Sequence, residues 1–458
     1  MPVKYAFSNN FMPAKKENMY ILRGIDKALE TWKNESNRKP LLLRGPRQVG
    51  KSSAVHNLAN SFDYFIEVDF EAQHSLHALF NTSVNPEDIC EQLSLYFSVP
   101  IIEGQTLLFF DEIQSCLSAI SSLRYFYEKM PGLHIIAAGS LLEFALKELP
   151  SFGVGRVRSM FVRPFSFDEF LIAFDQNKLA EAIKKASPTN PLPDLIHKKI
   201  ITHYKRFIAI GGMPEVVAAY IASGDMLTCL KIIDDIVISY QDDFSKYKRL
   251  VPANRIREAF ESVVLQMGGK FVYAKAAMNS DPKQIKAALE LLILAGLVIP
   301  VTHTSSNGIP LGAEVDPKKR KMLIFDTGIF QRLLGLNIGE LMISDRFEVV
   351  NKGALAELSV GLELSKLLSL YRRDPLYYWQ RESASGNAEV DFVFQKGEQI
   401  IPIEVKSGVR GSMQSLHLFL KEKNINEGIR FSLENFGKYN NIRALPIYAV
   451  STIGESES

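Results

Sequence analysis

A glycine-rich segment near residue 50 carries a lysine and a hydroxyl at fixed spacing. Residues 45–52 fit G-x-x-x-x-G-K-[ST], directly after the apolar run at 41–43 and before a helix-like segment. Glycines let backbone N–H groups curl around phosphate oxygens, and a helix N-terminus adds a favourable partial charge. Lys51 is spaced to reach the β- and γ-phosphates of ATP, and the Ser52 hydroxyl to ligate Mg²⁺. The alternative is an ordinary turn between a strand and a helix.

The residues that we expect to contact the nucleotide are Gly45, Pro46, Arg47, Gln48, Val49, Gly50, Lys51, Ser52 and Ser53.

A second strand-like segment ends in two carboxylates. Four apolar residues, 107–110, lead directly into Asp111 and Glu112. On a parallel strand adjacent to the one before the glycine-rich segment, Asp111 would complete the Mg²⁺ shell. Glu112 would orient or deprotonate the attacking water. The alternative for Glu112 is a solvated strand end.

Three arginines that follow could stabilise charge on a transferring phosphoryl group. They are Arg156, Arg158 and Arg163. Arg156 is the strongest candidate because it follows the flexible Gly155. The alternative is that these arginines lie on the surface without a catalytic role.

A hairpin-like segment near the other end of the chain is rich in carboxylates. If residues 396–399 form its loop, Gln395 pairs with Ile400, and Asp391 lies opposite Glu404. Directly opposed residues have Cβ atoms about 4.5–5.5 Å apart. Two anions that close would repel unless a cation bound them, and Mg²⁺ or Mn²⁺ suits oxygen ligands. The alternative is a sheet with charge-paired surface residues.

The same register has two further consequences. It places Glu389 opposite Lys406, and strand alternation puts Glu404 and Lys406 on one face.

The composition limits the class of protein. The chain has 458 residues, of which 47% are hydrophobic and 23% charged, so two to four globular domains are expected. The net charge of +2 argues against a globally basic nucleic-acid binder but allows local basic patches. Three cysteines without metal-ligand or disulfide spacing suit a reducing cytoplasm. The longest apolar run, 291–301, is too short to span a bilayer, so we expect no membrane association.

The middle of the chain reads as mainly helical. From Ile256 the pattern is three helices followed by a strand pair, with Asp281 as a cap and Pro282 at the first helical position. A basic turn at residues 318–321 leads the second strand. A helix followed by a basic wing is the layout of a winged helix, which commonly contacts DNA phosphates. The alternative is a packing module with a solvated charged turn.

Several motifs together resemble a known family. "GPRQVGKSS", "LLFFDEIQ", "AAGSLL", "RPFSFDEF" and "GGMPEVV" occur in the order seen in a large prokaryotic AAA-type ATPase family. "LIFDTGIF", "GALAE", "EVDFVF" and "IPIEVKSG" fit the same family, so the resemblance covers nearly the whole chain. It implies a P-loop ATPase core, a helical segment, a winged helix and a restriction-endonuclease-like C-terminus.

The resemblance also implies roles for particular residues. Ser140, at the end of a strand, would sense the γ-phosphate, and it is equally suited to cap the following helix. In the nuclease-like site, Glu357 would be a helix-borne metal ligand, and Asp391 and Glu404 the main ligands. Lys406 would activate water or stabilise charge on the phosphorane. Gln414 is a weaker candidate.

We therefore expect an α/β chain with an AAA-type ATPase core (1–165), a helical lid (166–250), a winged helix (251–340) and a nuclease-like domain (341–458). ATP and Mg²⁺ would serve the first site, and Mg²⁺ or Mn²⁺ the second. The nucleotide state would control a DNA-directed nuclease-like domain. The alternative is a nucleotide-switched protein that binds DNA or a partner without cleavage. A homo-oligomer follows if Arg156 completes a neighbour's site.

Overall fold

The computed structural model describes residues 4–6, 20–139, 142, 145–146, 155–247, 251–276, 281–335, 352–382, 387–408 and 411–454. These form two compact units. The first comprises Met1–Arg163 with Leu370–Arg373, and the second comprises Pro164–Ser369 with Asp374–Ser458. In the described ranges, no helix has the length and apolar character needed to cross a membrane.

The first unit is built on a six-stranded sheet in the order β1-β3-β4-β5-β2-β6, with every pair parallel. The strands are β1 (Lys4–Ala6), β2 (Leu41–Arg44), β3 (Tyr64–Asp69), β4 (Thr106–Asp111), β5 (His134–Ala138) and β6 (Arg158–Phe161). The helices described in this unit are α1 (Gly24–Lys33), α2 (Lys51–Ala59), α3 (His77–Thr82), α4 (Pro86–Phe97) and α5 (Leu117–Lys129).

This strand order corrects one expectation. We expected the strand ending in Asp111 to lie next to the strand before the glycine-rich segment, but β5 lies between β4 and β2. All five residues of β5 are buried, as suits a central strand of a parallel sheet. Because all the strands run the same way, β2 and β4 still end at one edge of the sheet.

The second unit is built on a mixed eight-stranded sheet in the order β13-β14-β12-β11-β10-β9-β7-β8. The strands are β7 (Val298–Thr304), β8 (Val315–Ile324), β9 (Leu376–Arg381), β10 (Ala388–Lys396), β11 (Gln399–Val405), β12 (Gly428–Ser432), β13 (Gly437–Tyr439) and β14 (Ile442–Pro446). Three pairs, β7 with β9, β11 with β12, and β12 with β14, are parallel.

The helices of this unit precede the sheet in sequence or lie between its strands. Those described are α6 (Phe167–Ala173), α7 (Asn177–Lys185), α8 (Asp194–Ile210), α9 (Pro214–Ser223), α10 (Met226–Asp243), α11 (Ala253–Leu265), α12 (Tyr273–Ala276), α13 (Pro282–Leu294), α14 (Thr327–Leu333), α15 (Lys352–Leu367) and α16 (Gln414–Lys423). Helix α16 packs on β10 and β11 through Leu416 and Phe419, whereas α15 contacts β8, β9 and β11.

The predicted order of helix, helix, helix and strand pair is present as α11, α12, α13, β7 and β8. The hairpin is not a free wing, however, because β7 pairs in parallel with β9. The boundary predicted at residue 340 therefore falls between strands of one continuous sheet. Residues 318–321 lie within β8 rather than in a turn, which corrects the predicted basic turn.

Two quoted motifs of the second unit meet at a buried aspartate. Asp326 is 2% exposed, and its Oδ2 accepts the N–H of Gly212 at 2.7 Å. Its Oδ1 accepts the N–H of Ile329 at 3.0 Å and so caps α14. Gly211 has φ 77° and ψ −171°, a conformation restricted essentially to glycine. A Cβ at Gly211 would lie 2.2 Å from Asp326 Oδ1.

Substitution of Gly211 by alanine should therefore destabilise the second unit. The new methyl group would push against the buried carboxylate that joins α14 to the end of α8. We expect Gly211→Ala to lower the free energy of unfolding by at least about 1 kcal/mol more than a matched control. Urea denaturation followed by circular dichroism measures this difference.

Gly224→Ala is the control, because Gly224 also has a positive φ, 65°, but nothing lies within 4 Å of an added Cβ. Equal losses of stability in the two variants would show that backbone conformation alone, and not the Asp326 contact, requires glycine at position 211.

Candidate nucleotide site and carboxylate cluster

The loop between β2 and α2 has an unusual backbone. Gly45 and Gly50 have φ of 139° and 85°, and Gln48 has φ 59°, in the left-handed region. A Cβ at Gly45 would lie 2.3 Å from the carbonyl oxygen of Val162, so only glycine fits there. Helix α2 begins directly after the loop, at Lys51. Its N-terminus therefore faces the carboxyl edge of the sheet.

Lys51 is buried within this loop, with 8% of its surface exposed. Its Nζ donates to the carbonyl oxygens of Gly45, at 2.9 Å, and Pro46, at 2.7 Å. Burial lowers the pKa of Lys51 to about 8, although the charges of Glu112 and Asp111 favour its protonated form. An ammonium group held by neutral carbonyls suits an anionic ligand, because buried charges are stabilised by opposite charge.

Ser52 and Asp111 bring a hydroxyl and a carboxylate together. Ser52 Oγ, on α2, donates to Asp111 Oδ2, at the end of β4, at 2.6 Å. Burial raises the pKa of Asp111 to about 6, while hydrogen bonds from Ser52 and from the N–H of Glu112 oppose this shift. These oxygens are the kind of ligand that Mg²⁺ prefers, and Mg²⁺ commonly takes only one or two protein oxygens alongside phosphates. The pair fits the predicted ion.

Glu112 is held in a strained backbone conformation. Its φ and ψ are 45° and 42°, and its N–H donates to Asp111 Oδ1 at 2.9 Å. Gln114 Nε2 donates to the Glu112 carboxylate. The Gln114 amide is itself confined, because a Cβ at Gly139 would lie 2.0 Å from its Oε1. We did not single out Gln114 from the sequence, although it stands at the end of the quoted motif "LLFFDEIQ".

Arg23 is a second residue that sequence reasoning missed. Its guanidinium donates to the carbonyl of Val49 at 2.8 Å and to the carbonyl of Arg163. It therefore ties the loop to the segment that follows β6. These partners lie 26 and 140 residues away along the chain, so no local pattern could have marked Arg23.

The remaining predicted residues of the first site lie in different surroundings. Val49 is buried, Arg47 pairs with Glu71 at 3.7 Å, and Ser53 is exposed on the first turn of α2. Ser140 lies outside the described residues. The nine predicted nucleotide contacts at 45–53 therefore surround the N-terminus of α2, and a role for Ser140 stays a prediction.

The three candidate arginines are engaged in other contacts. Arg156 is half exposed and pairs with Glu128. Arg158 donates to the carboxylate of Glu35, and its guanidinium lies over the ring of Tyr371. The carbonyl of Arg163 accepts from Arg23. A role for Arg156 in stabilising charge on the transferring phosphoryl group stays a prediction.

The predicted hairpin register at the second site is confirmed. Gln395 pairs with Ile400, and Phe392 with Ile403, so the paired residues end directly beside Asp391 and Glu404. That Asp391 lies opposite Glu404 stays a prediction. The loop is shorter than expected, because Lys396 also pairs with Gln399. Two residues make the turn, and the first, Gly397, has the positive φ of 57° that such tight turns favour.

The predicted residues of the second site are largely buried. Glu357, on α15, is 7% exposed, and Glu404 is 6% exposed. Asp391 Oδ2 accepts the N–H of Val405 at 2.7 Å. Lys406 Nζ donates to Glu404 Oε1 at 2.5 Å, which confirms that these two residues share a face. Gln414 is the first residue of α16.

Lys321, on β8, lies among these carboxylates and was not predicted there. It is 1% exposed, and its Nζ lies 2.8 Å from Glu357 Oε1 and 3.9 Å from Asp391 Oδ1. It also pairs with the carboxylate of Glu389. The side-chain partner of Glu389 is thus Lys321, and the expectation that Glu389 lies opposite Lys406 stays a prediction.

The electrostatics of the carboxylate cluster, here Glu357, Glu389, Asp391 and Glu404, follow from this lysine. Burial alone would lower the pKa of Lys321, but the charges of Glu357, Asp391 and Glu389 outweigh it and raise that pKa. Burial raises the pKa of Glu357 to about 7, against the opposing charge of Lys321. Burial and the Asp391 charge raise the pKa of Glu404 to about 7, although Lys406 opposes them.

The three-carboxylate metal site is not assembled in the part of the chain that the structure describes. No group of three or more His, Cys, Asp or Glu side chains there converges as metal ligands.

Three of the four basic residues at 318–321 are engaged in ion pairs. Lys319 pairs with Glu382 at 3.5 Å, and Arg320 with Glu290 at 2.7 Å.

Comparison with known proteins divides the chain into three matched regions. Residues 37–171 match the family model of an AAA domain, and these residues contain the glycine-rich loop, Asp111 and Glu112. The chain carries a P-loop ATPase domain of the AAA type. Beyond this AAA domain, residues 201–339 match a domain of unknown function (DUF8612), and residues 352–450 match another (DUF4143).

Curated relatives and solved structures add little beyond the AAA domain. Uncharacterized proteins of Mycobacterium bovis and Mycobacterium tuberculosis are each 28% identical over 159 residues. These matches cover 34% of this chain and 33% of each relative, so the chain spans about a third of their length.

Two solved structures overlap the chain loosely. A Walker-type ATPase of Pyrococcus abyssi is 17% identical, with a TM-score of 0.45, and the match covers 70% of this chain and 98% of that one. The ORC1 protein of Aeropyrum pernix, solved in complex with DNA, is 12% identical with a TM-score of 0.24, and the match covers 68% and 90%. Similarities this loose do not assign a function.

Gln114 should matter for catalysis in the AAA domain if it orients Glu112. We expect Gln114→Ala to lower kcat for ATP hydrolysis by about 100-fold with little change in KM, because a displaced catalytic group costs about that much. Steady-state kinetics measure both constants. Gln105→Ala is the matched control, since Gln105 is exposed before β4 in the same unit. A rise in KM alone would place Gln114 in substrate binding instead.

Proposed function

We propose that the chain is a Mg²⁺-dependent ATPase whose nucleotide state controls a DNA-directed second unit. The observation that carries the first part is the convergence of Lys51, Ser52, Asp111 and Glu112 at one edge of the parallel sheet. These residues come from the loop after β2 and from the end of β4. Their types match the parts that P-loop ATPases use to bind and hydrolyse nucleotide.

In this proposal, ATP binds in the loop formed by residues 45–53. Backbone N–H groups of the loop and of the first turn of α2 donate to phosphate oxygens, and Lys51 places its ammonium group against the β- and γ-phosphates. Ser52 and Asp111 would hold Mg²⁺, which neutralises phosphate charge when bound. Arg23 keeps the loop in place through its bond to the Val49 carbonyl.

Glu112 is the proposed base for water attack on the γ-phosphate. Its carboxylate, held by Gln114, orients a water molecule and accepts a proton from it as the water oxygen bonds to the γ-phosphorus. The bond from that phosphorus to the β–γ bridging oxygen breaks in the same reaction, and ADP leaves with the bridging oxygen. Ser140 would sense the γ-phosphate. Arg156 would act on the site of a neighbouring copy in a homo-oligomer, and its exposed position beside Glu128 suits that role.

For the second unit we propose a winged-helix segment within 251–340, a nuclease-like segment within 341–458, and DNA as the partner. The order α11, α12, α13, β7 and β8 supports the first assignment. The second is supported by Asp391 and Glu404 on the paired strands β10 and β11, with Lys406 bonded to Glu404. One candidate function is metal-dependent phosphodiester cleavage controlled by ATP. Glu357, Asp391 and Glu404 would hold Mg²⁺ or Mn²⁺ in that case.

A second candidate is a nucleotide-controlled protein that binds DNA or a partner without cleavage. One observation favours it, which is the position of Lys321 among the carboxylates. The three buried free cysteines, Cys90, Cys116 and Cys229, support a reducing cytoplasmic setting for either candidate.

The path of the chain supports coupling between nucleotide state and the second unit. Leu370–Arg373 belongs to the first unit, where the N–H of Phe161, on β6, donates to the Leu370 carbonyl at 2.8 Å. Strand β6 pairs with β2, which leads into the loop. In sequence, this segment follows α15, which bears Glu357, and precedes β9, which pairs with β10. A nucleotide-dependent shift of β6 would thus displace residues 370–373 and, through the chain, the flanking elements α15 and β9.

Loss of the Lys51 ammonium group should abolish this activity. We expect Lys51→Ala to reduce ATP turnover to background, because its buried charge is the principal one opposite the phosphates. Any difference in DNA affinity between the ATP-bound and nucleotide-free protein should disappear as well. Phosphate release and fluorescence anisotropy with labelled duplex DNA measure the two effects.

Lys27→Ala is the matched control, since Lys27 is exposed on α1 of the same unit. Normal hydrolysis by Lys51→Ala would refute the assignment of the ATP site. Normal wild-type hydrolysis with a DNA affinity that ATP leaves unchanged would refute only the coupling.

A further inference from the structure

The carboxylate cluster already contains a cation supplied by the chain. Lys321 is nearly inaccessible to solvent, and its ammonium group lies 2.8 Å from Glu357 Oε1. It pairs with Glu389 and lies 3.9 Å from Asp391 Oδ1. A cation beside Glu357 and Asp391, two of the three metal ligands that the resemblance implies, supplies positive charge that a shared metal ion would otherwise supply.

Two further carboxylate oxygens of the cluster accept hydrogen bonds from protein donors. Asp391 Oδ2 accepts the N–H of Val405 at 2.7 Å, and Glu404 Oε1 accepts from Lys406. Glu404 Oε2 is buried without a hydrogen-bond partner. Each carboxylate of the cluster thus already has one oxygen bound to a protein donor, whereas a divalent ion needs several oxygen ligands at once. Glu404 Oε2 is nevertheless the atom at which a competing ion would bind.

The position of Lys321 in the fold explains why its ammonium group remains within the carboxylate cluster. It is on β8, which lies at the edge of the eight-stranded sheet, whereas Glu389 and Asp391 are on β10 and Glu357 is on α15. The ammonium group therefore joins three separate elements of the second unit. Its withdrawal would leave buried carboxylates without a counter-charge, which is strongly unfavourable.

We infer that Lys321 replaces the divalent metal in this nuclease-like site, so that the second unit does not cleave phosphodiester bonds. The metal ligands implied by the family resemblance, Glu357, Asp391 and Glu404, then form a lysine-neutralised cluster that joins α15 to the sheet. The inference concerns the second unit alone and does not depend on ATP hydrolysis. It selects the non-cleaving candidate function.

Mn²⁺ binding to the full chain tests this inference. We would titrate Mn²⁺ by electron paramagnetic resonance into nucleotide-free wild type, Asp391→Asn, Lys321→Met and the double variant Lys321→Met/Asp391→Asn. Wild type and Asp391→Asn should bind Mn²⁺ alike. Lys321→Met should bind it at least about tenfold more tightly, and the double variant should lose that gain. Any ion held by Ser52 and Asp111 is common to all four proteins.

Lys319→Met is the matched control, because Lys319 lies on the same strand and pairs with a single carboxylate, Glu382, outside the cluster. It should leave Mn²⁺ affinity unchanged. DNA cleavage with Mg²⁺ or Mn²⁺ is measured in parallel on wild type and Asp391→Asn, with linear and circular duplexes, and should be absent from both.

Two results would overturn the inference. One is wild-type Mn²⁺ binding or DNA cleavage that Asp391→Asn removes. The other is a folded Lys321→Met protein that gains no affinity for Mn²⁺. If Lys321→Met does not fold by circular dichroism, the comparison of wild type with Asp391→Asn still decides. ATP turnover measured on the same wild-type preparation separates this outcome from a failure of the proposed ATPase function.

Discussion

Burying an ionised side chain is costly unless opposite charge or hydrogen bonds compensate for it, and this constraint organises both candidate sites. In the first unit, Lys51 is buried against loop carbonyls, with Asp111 and Glu112 as the nearest compensating charges. In the second unit, Lys321 is buried among Glu357, Glu389 and Asp391. The first arrangement leaves its lysine opposed chiefly by neutral groups, which suits an anionic ligand. The second places its lysine among three carboxylates, which suits a permanent internal ion pair.

The sequence predicted the parts of the fold that depend on local pattern. The glycine-rich loop, its flanking strand and helix, and the hairpin register around Gln395 and Ile400 all follow from spacing and alternation. These features are determined by neighbours within a few residues along the chain. A two-residue turn instead of four changed the loop length without changing the register, because both turns keep the same pairing.

The features that the sequence could not predict depend on contacts between distant segments. Strand β5 lies between β2 and β4 in the sheet. The apolar runs of the sequence predict strands but do not specify their order in the sheet. Arg23 reaches partners far along the chain, and Lys321 comes from the hairpin that resembled an exposed basic wing. A run of four basic residues looked like a solvated turn. In the folded chain, three of them pair with carboxylates that lie elsewhere in the sequence.

The candidate catalytic groups of the chain therefore lie in the nucleotide site. The AAA domain supplies a loop, a lysine, two candidate Mg²⁺ ligands and a carboxylate positioned by an amide. The second unit supplies a large mixed sheet stabilised by buried ion pairs, and its proposed role is to transmit or receive the nucleotide signal. Covalent continuity through Leu370–Arg373 provides a route for that signal.

The role of Glu112 as the base is tested most directly by ATP binding and turnover of Glu112→Gln. Calorimetry measures the binding, and phosphate release measures the turnover. The substitution keeps the shape of the side chain and removes only its ability to accept a proton. We expect Glu112→Gln to bind ATP with wild-type affinity and to turn it over at least about 100-fold more slowly. Turnover close to that of wild type would contradict the assignment of Glu112 as the base and, with it, the proposed mechanism of the site.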